Sequence, residues 1–219
     1  TEGDTSQSTE FEQSPSESIG RTSGSVFGQS RTLRATLAYV RSSVRNPGQL
    51  VYLFYYLFPI APVLAQQAVG NPGLFPTAVG ATLVVLGVWF AGGVFCLNPL
   101  GSEGAMLSQL VLAEAPAETF VHARLFAGTG LGLVISTIGL GVVTVTTAAV
   151  TPTLAVLGVG FLWLTVIASA AFAMGIGSVL PKFEAVEIFE SVETLAPSIF
   201  AAVIHGVVAT LLLLGGGAG

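Results

Sequence analysis

Residues 98–128 read NPLGSEGAMLSQLVLAEAPAETFVHARLFAG and lie between two long apolar runs. After residue 45, only this stretch and residues 182–193 contain charged side chains. Of the 219 residues, 52% are hydrophobic and 9% are charged, whereas soluble domains carry about 25% charged residues. The composition therefore predicts a helical membrane protein, and we expect the charged stretch to meet a partner in the cytoplasm.

Hydropathy predicts five membrane spans, at about residues 50–68, 77–97, 125–150, 154–180 and 199–214. The predicted fold is thus an all-α polytopic membrane domain over residues 48–219, with five spans in this sequence and a sixth expected in a longer chain. Only residues 151–153 separate the third and fourth spans, which predicts an antiparallel hairpin. Glycines in these spans allow close helix packing: Gly128, Gly132, Gly139, Gly158, Gly175 and Gly177.

The N-terminal part divides into two segments. Residues 1–30 are rich in Ser, Thr, Gly and Glu, too polar to bury a core, and we expect them to be disordered. Residues 31–47 have a helical pattern in which four arginines fall within about 80° of one another and apolar residues occupy the neighbouring face. This pattern predicts a helix on the inner membrane surface; an ordinary soluble helix is the alternative. The arginines are Arg31, Arg34, Arg41 and Arg45.

The remaining basic residues suggest an orientation. Arg124 precedes the third span and Lys182 follows the fourth, so with five spans they lie on the same side as residues 31–45. Basic residues mark the cytoplasmic side of a membrane protein. We therefore predict a multi-pass protein of the cell membrane with a cytoplasmic N-terminus and cytoplasmic loops at residues 98–124 and 181–198.

The first of these loops predicts a helical elbow. Ser102 is suited to cap a short helix whose first turn contains Glu103 and which runs to about Glu114. Pro116 should end it and suits the first turn of the next helix, which gives a helix–turn–helix elbow below the membrane. One face of the first helix is apolar and includes Met106, Leu107, Leu110 and Val111. The alternative is that this loop is only a connector between spans.

The second loop, residues 181–198, contains glutamates at every third position. This spacing predicts an acidic amphipathic helix at the inner surface. A metal site or a catalytic pair is disfavoured because neither His nor Cys lies nearby, and a solvated face is the better interpretation. The glutamates are Glu184, Glu187, Glu190 and Glu193.

The sequence lacks the motifs that several kinds of chemistry require. The only lysine, Lys182, is not in a Gly-rich P-loop, so we expect no ATP hydrolysis by this chain. Zinc-site patterns and a dense basic stripe for nucleic acid are also missing from the sequence, and we predict no metal site. Cys96 is a single cysteine. His205 lies in the fifth span and is a possible intramembrane polar site, although a neutral His hydrogen-bonded to a neighbouring helix is favoured.

Taken together, the basic surface helix, two spans, the NPLGSEG loop at residues 98–104 and the charged segment 120–124 before the third span resemble the permease subunits of ABC-2 type transporters. Residues 177–184, GSVLPKFE, resemble the end of the fourth helix in such permeases. The resemblance covers residues 31–214. Six arginines to one lysine, with abundant Ala, Val, Gly and Glu, also resemble the usage of salt-loving archaea.

The resemblance implies a role and partners. In that family a segment between the second and third helices is a coupling helix that rests on a separate ATPase subunit, where ATP and Mg²⁺ bind. The corresponding residues here are Ser102, Glu103, Leu107, Leu110, Glu114 and Arg124. A second permease copy or half is implied as well. Two alternatives stay open: a non-transporting membrane anchor or assembly protein, and half of a secondary transporter. An intramembrane enzyme is least expected, because no nucleophile is paired with a base.

Overall fold

The computed structural model describes residues 31–45, 60–104, 117–147, 150–184, 186–189, 192–194 and 197–215. These residues form six helices and one small β-hairpin. The helices are α1 (Arg31–Arg45), α2 (Ile60–Gly70), α3 (Phe75–Gly93), α4 (Ala117–Thr146), α5 (Pro152–Val179) and α6 (Ile199–Gly215), and a 3₁₀ turn covers Gly101–Glu103. Within the described ranges, helix is thus the dominant structure.

Three of the helices, α3, α4 and α5, are long and apolar enough to cross a membrane. The shorter α6 is also apolar. Large apolar side chains on the outward faces of these helices are exposed in the isolated chain, as lipid-facing side chains would be; they include Phe126, Val134, Ile138, Leu157, Leu164, Ile167, Val203 and Leu211. The chain therefore has the construction of a helical membrane protein.

The closest helix packing is between α3 and α4, which run antiparallel. A Cβ atom at Gly132 would lie 2.7 Å from the carbonyl oxygen of Gly87, and one at Gly139 would lie 2.6 Å from that of Gly80. Small residues thus bring the two backbones into contact, as sequence analysis predicted. Gly128 and Gly177 also lie against backbone, whereas Gly158 makes ordinary contacts and Gly175 faces no atom within 4 Å.

The other helices surround this pair. α5 packs on both α3 and α4, α6 packs on α3 and α5, α1 packs on α4, and α2 packs on α3. Thr151 caps α5 by accepting a hydrogen bond from the amide of Leu154 at 3.3 Å, so α4 and α5 form the predicted hairpin. The buried core consists largely of small and aliphatic residues of α3, α4 and α5, such as Val88, Ala91, Ala127, Val166, Ala170 and Ala173.

One prediction about the connecting segments is confirmed and one is wrong. A helix begins directly after Pro116, as predicted, and the charged segment 117–124 forms the first turns of α4 with no break before its apolar part. The described part of residues 181–198 does not form the predicted acidic helix: Val186–Phe189 and Val192–Thr194 pair as antiparallel strands β1 and β2. β-branched and aromatic residues there favour extended backbone, and the three-residue spacing of the glutamates did not reveal this preference.

Several predictions fall partly or wholly outside the described residues. These include the segment 1–30, the first part of the span predicted at 50–68, and the elbow helix containing Leu107, Leu110 and Glu114. Ser102 was predicted to cap that helix. In the structure it lies within the 3₁₀ turn, and its hydroxyl donates to the carbonyl oxygen of Pro99 at 3.3 Å.

Candidate functional site

The chain buries a charged side chain, Arg124, in the second turn of α4, with 4% of the residue exposed. Its guanidinium forms an ion pair with the carboxylate of Glu103. It also donates to the Ser102 hydroxyl oxygen at 2.6 Å and to the backbone carbonyl of Phe95 at 2.9 Å. One side chain therefore connects the start of α4 to the end of the α3 segment and to the 3₁₀ turn.

Two aromatic rings flank the same guanidinium. Its central carbon lies 4.7 Å from the centroid of the Tyr39 ring and 4.9 Å from that of Phe120, and such cation–π contacts contribute about 0.5–2 kcal/mol each. The Tyr39 hydroxyl donates to Glu103 Oε1 at 3.0 Å. Burial raises the pKa of Tyr39, so the phenol keeps its proton for this hydrogen bond. We call Tyr39, Ser102, Glu103, Phe120 and Arg124 the Arg124 cluster.

Residues 98–104 are held from the other side as well. The Asn98 side chain donates to the Lys182 carbonyl at 2.9 Å and accepts from the Lys182 amide at 3.2 Å. Gly101 lies directly against the same carbonyl, so any side chain there would overlap it. Gly104 has φ of +47°, a conformation that glycine adopts without strain. The loop is therefore attached to the segment that follows α5.

α1 is attached at this same end. The Thr36 hydroxyl lies 3.2 Å from the carbonyl oxygen of Ala123 and 2.9 Å from that of Thr32 in its own helix. Together with the Tyr39–Glu103 hydrogen bond, this contact joins α1 to α4 and to the loop. We call the region formed by α1, residues 98–104, the first turns of α4 and residues 180–184 the charged end.

The predicted site residues have different environments. Ser102, Glu103 and Arg124 are brought together, and Arg124 is used inside the chain, so its side chain is not free for direct contact with a partner. Leu107, Leu110 and Glu114 lie outside the described residues. The basic residues Arg31, Arg34, Arg41 and Arg45 are all exposed on α1.

A second buried polar group lies in the apolar part of the bundle. His205 of α6 is fully buried, and its Nε2 is 3.0 Å from the Ser169 hydroxyl oxygen of α5. That hydroxyl donates to the carbonyl of Val88 in α3 at 2.8 Å, so the imidazole is the donor to Ser169. Nδ1 has no partner among the described residues. Gly92 leaves room for the ring. We call Val88, Gly92, Ser169 and His205 the His205 cluster.

The two clusters differ in their chemistry. The hydrogen bond between His205 and Ser169 connects two helices, as predicted for the imidazole. No group of three His, Cys, Asp or Glu side chains within the described ranges could hold a metal ion. The Arg124 cluster pairs its charges internally, so its geometry is suited to fixing the position of a loop.

Sequence analysis missed the aromatic members of the Arg124 cluster. Phe120 could have been found, because it precedes Arg124 by four residues and helical residues at that spacing face each other. Tyr39 gave a weaker signal: it lies on a third face of α1, about 130° around the helix from both the arginines and the apolar stripe. Its meeting with Arg124 depends on how two distant helices pack.

Comparison with known proteins returned no relatives. No protein-family profile, no curated protein and no solved structure matches this chain. A function for the chain therefore has to be argued from the composition, the helices and the geometry of the Arg124 cluster.

Proposed function

We propose that this chain is the membrane-spanning permease subunit of an ATP-driven transporter of the ABC-2 type. The observation that carries the proposal is the buried ion pair between Arg124 and Glu103, which fixes the loop between the spans α3 and α4. Buried ion pairs are costly and add little net stability, because desolvation offsets their attraction. A loop fixed in this way has a defined position, and transmission of a force requires such a position.

The loop is suited to transmission because of what it is attached to. The contacts of Arg124, Asn98 and Tyr39 connect it to α4, to the segment after α5 and to α1. A push on residues 98–104 would therefore move several helices together. Packed helices of this kind switch between discrete arrangements. Under this proposal, ATP and Mg²⁺ bind a separate subunit whose movement switches the spans between inward-facing and outward-facing states.

The docking surface under this proposal comprises the loop and the residues that follow it. Ser102 and Gly104 are exposed, whereas Glu103 is partly covered by Tyr39 and Arg124. Leu107, Leu110 and Glu114 follow directly and supply the direct contacts. The role of Glu103 and Arg124 is then to position the loop.

The proposed arrangement has five spans, with the charged end in the cytoplasm. Arg124, the arginines of α1 and Lys182 are at the same end in the structure, as the positive-inside rule requires of a cytoplasmic face. α2 belongs to the first span and α6 is the fifth. A second copy or a second half completes the translocation pathway in the membrane.

Co-purification tests the proposal. The full chain is solubilised from its native membranes, and retained proteins are identified and assayed for ATP hydrolysis. We expect a stoichiometric P-loop ATPase, lost with Leu107→Glu/Leu110→Glu and weakened by Glu103→Gln. His122→Glu is the control, because His122 is exposed on α4 near the charged end and outside the loop. Purification without an ATPase, under conditions that preserve other membrane complexes, would contradict the proposal.

One observation favours a second candidate, half of a secondary transporter. His205 places an imidazole within the apolar core, and ionisable groups there mark ion pathways in many transporters. Reconstitution distinguishes the candidates: a secondary transporter would accumulate solute in vesicles with an ion gradient and no ATPase. An anchor that associates through glycine faces would have to use other glycines than Gly128, Gly132 and Gly139, which pack within the chain; Gly175 faces no atom within 4 Å.

A further inference from the structure

α1 presents three different faces. Its least exposed residues lie toward α4, and they are Thr32, Ala35, Thr36, Tyr39 and Ser43. A second face is apolar but uncovered, with Leu37 62% and Val44 74% exposed. A third face carries the exposed arginines 31, 34, 41 and 45. At about 100° per residue, the centres of these three faces are separated by about 90° to 140° around the helix.

The position of α1 identifies what covers its apolar face. α1 contacts α4 at Thr36 and Ala123, directly before the apolar part of α4. A bilayer around α4 would begin at this level, so α1 lies where headgroups meet acyl chains. An apolar face beside a row of arginines matches that boundary when the headgroups are anionic. The chemistry therefore selects an anionic lipid surface as the occupant of these two faces.

The face of α1 that lies toward α4 leads to the loop. Tyr39 donates a hydrogen bond to Glu103, and its ring lies against the guanidinium of Arg124. If α1 moved away from α4, Glu103 would lose a donor and Arg124 would lose one of its two aromatic neighbours. The ion pair that fixes residues 98–104 would then be opened to water. Thus the position of α1 and the order of the loop are connected through one side chain.

We infer that anionic lipid bound by α1 orders the loop at residues 98–104, and that Tyr39 transmits the effect. The bilayer surface holds α1 against α4, which keeps Tyr39 on Glu103 and Arg124. Anionic lipid is thereby a regulator of the surface that docks the ATPase. That last consequence rests on the proposed function, whereas the connection between lipid and loop does not.

Hydrogen exchange of the full chain in lipid nanodiscs tests this inference without any ATPase. Nanodiscs of phosphatidylcholine are compared with nanodiscs that also contain phosphatidylglycerol, and exchange is followed in α1 and in residues 98–104. We expect several-fold slower exchange of both segments in the anionic discs. Raising the salt concentration should reduce the difference, because it screens the arginines.

Four variants separate the steps. Arg34→Gln/Arg41→Gln should abolish the response of both α1 and the loop to anionic lipid. Arg21→Gln removes a positive charge outside α1 and should keep both responses. In Tyr39→Ala, α1 should still exchange more slowly in anionic discs, whereas residues 98–104 should no longer respond to anionic lipid. Tyr39→Phe retains the ring but not the hydrogen bond, and we expect a smaller loop response.

Two results would overturn the inference. The first is equal exchange of residues 98–104 in neutral and anionic discs while the wild-type chain is folded. The second is a loop response that persists in Tyr39→Ala, since lipid would then act on the loop by another route. A failure to capture an ATPase would leave the exchange experiment unaffected, so the two proposals fail separately.

Discussion

The Arg124 cluster and the His205 cluster are both buried and polar, yet they are built differently. Arg124 carries a full charge that is neutralised by Glu103 and flanked by two rings at the charged end. His205 lies among the helices and connects to them through a single hydroxyl, that of Ser169. Charge is thus placed where the helices end, and the His205 cluster in the apolar interior is a short hydrogen-bonded chain.

This difference indicates separate physical roles. The Arg124 cluster joins segments that are far apart in sequence, namely α1, the loop and the start of α4. The His205 cluster joins α3, α5 and α6, which already pack through apolar side chains. We therefore expect large effects from changes in the first cluster and modest effects from changes in the second.

The largest loss of stability is expected for Arg124→Met. The change leaves the Glu103 carboxylate, whose side chain is 14% exposed, without its cation. Breaking a buried pair by removing one partner costs about 3–5 kcal/mol, and we expect a loss toward the lower end of that range. Thermal unfolding of the purified chain in detergent measures the loss. Arg124→Lys retains the charge but not the planar fork that stacks on the rings, and should have an intermediate effect.

The double variant Arg124→Met/Glu103→Leu tests whether the loss comes from the unpaired carboxylate. Removing both charges should restore most of the stability, because no buried charge remains. If Arg124→Met alone unfolded at the wild-type temperature, the guanidinium would not hold the loop and the distinction between the two clusters would disappear.

The second-largest loss of stability is expected from overpacking between α3 and α4, the helix pair on which both clusters depend. Gly132→Ala would place a methyl group 2.5 Å from Ala91 Cβ, and overpacking of this kind costs about 1–3 kcal/mol. Arg124 binds the Phe95 carbonyl and Ser169 binds the Val88 carbonyl, so both clusters depend on the position of the α3 segment. We therefore expect both clusters to loosen together. Faster hydrogen exchange of the backbone amides at each cluster would measure this change.

Gly141→Ala is the matched control on the same helix. No atom lies within 4 Å of the added methyl group, and alanine is a better helix former than glycine by about 1 kcal/mol. We expect unchanged or slightly higher stability. Equal destabilisation by Gly132→Ala and Gly141→Ala would argue against close packing of α3 and α4.

A smaller loss of stability is expected for Ser169→Ala. The His205 imidazole would lose its acceptor, and interhelical hydrogen bonds of this kind contribute about 0.6–1.7 kcal/mol in membrane proteins. Ser178→Ala, also on α5, is the control, because the Ser178 hydroxyl donates only to its own helix at Met174. A loss from Ser169→Ala as large as that from Arg124→Met would overturn the ranking of the two clusters.

Features that depend on composition and local period were predictable from the sequence. Hydropathy located α3, α5 and α6 to within a few residues, and the helical period located α1. The start of α4 was misplaced because hydropathy excludes charged residues from a span, although nothing interrupts the helix at residue 125. The hairpin was missed because a three-residue period suggested a helix, while residue types favoured strands.

The Arg124 cluster could be predicted only in part. Glu103 and Arg124 stood out because charges are rare in this chain, and sequence analysis assigned both to a partner's surface. Their pairing depends on a loop closed by Asn98 and Gly101 against the Lys182 backbone. No local period contains that information. The burial of Arg124 likewise follows from the packing of α1 on α4.

The smallest effect, and the most specific to the Arg124 cluster, concerns Tyr39 at alkaline pH. Burial raises the pKa of the Tyr39 phenol above its usual value of 10.0. The folded chain thus holds this proton more tightly than the unfolded chain. The resulting stability is complete below about pH 10 and is lost as the pH rises through the folded pKa.

The stability of the wild type relative to Tyr39→Phe should therefore decline above pH 10, and thermal unfolding of both chains over that range measures the decline. The other tyrosines and Lys182 also titrate in this range, but both chains share them. Their contributions therefore cancel in the difference between the two stabilities. The effect is small because Tyr39 is only half-buried and water shares its solvation. A constant difference across the range would mean that the phenol is not buried against Glu103, and α1 would then lack the contact through which it orders the loop.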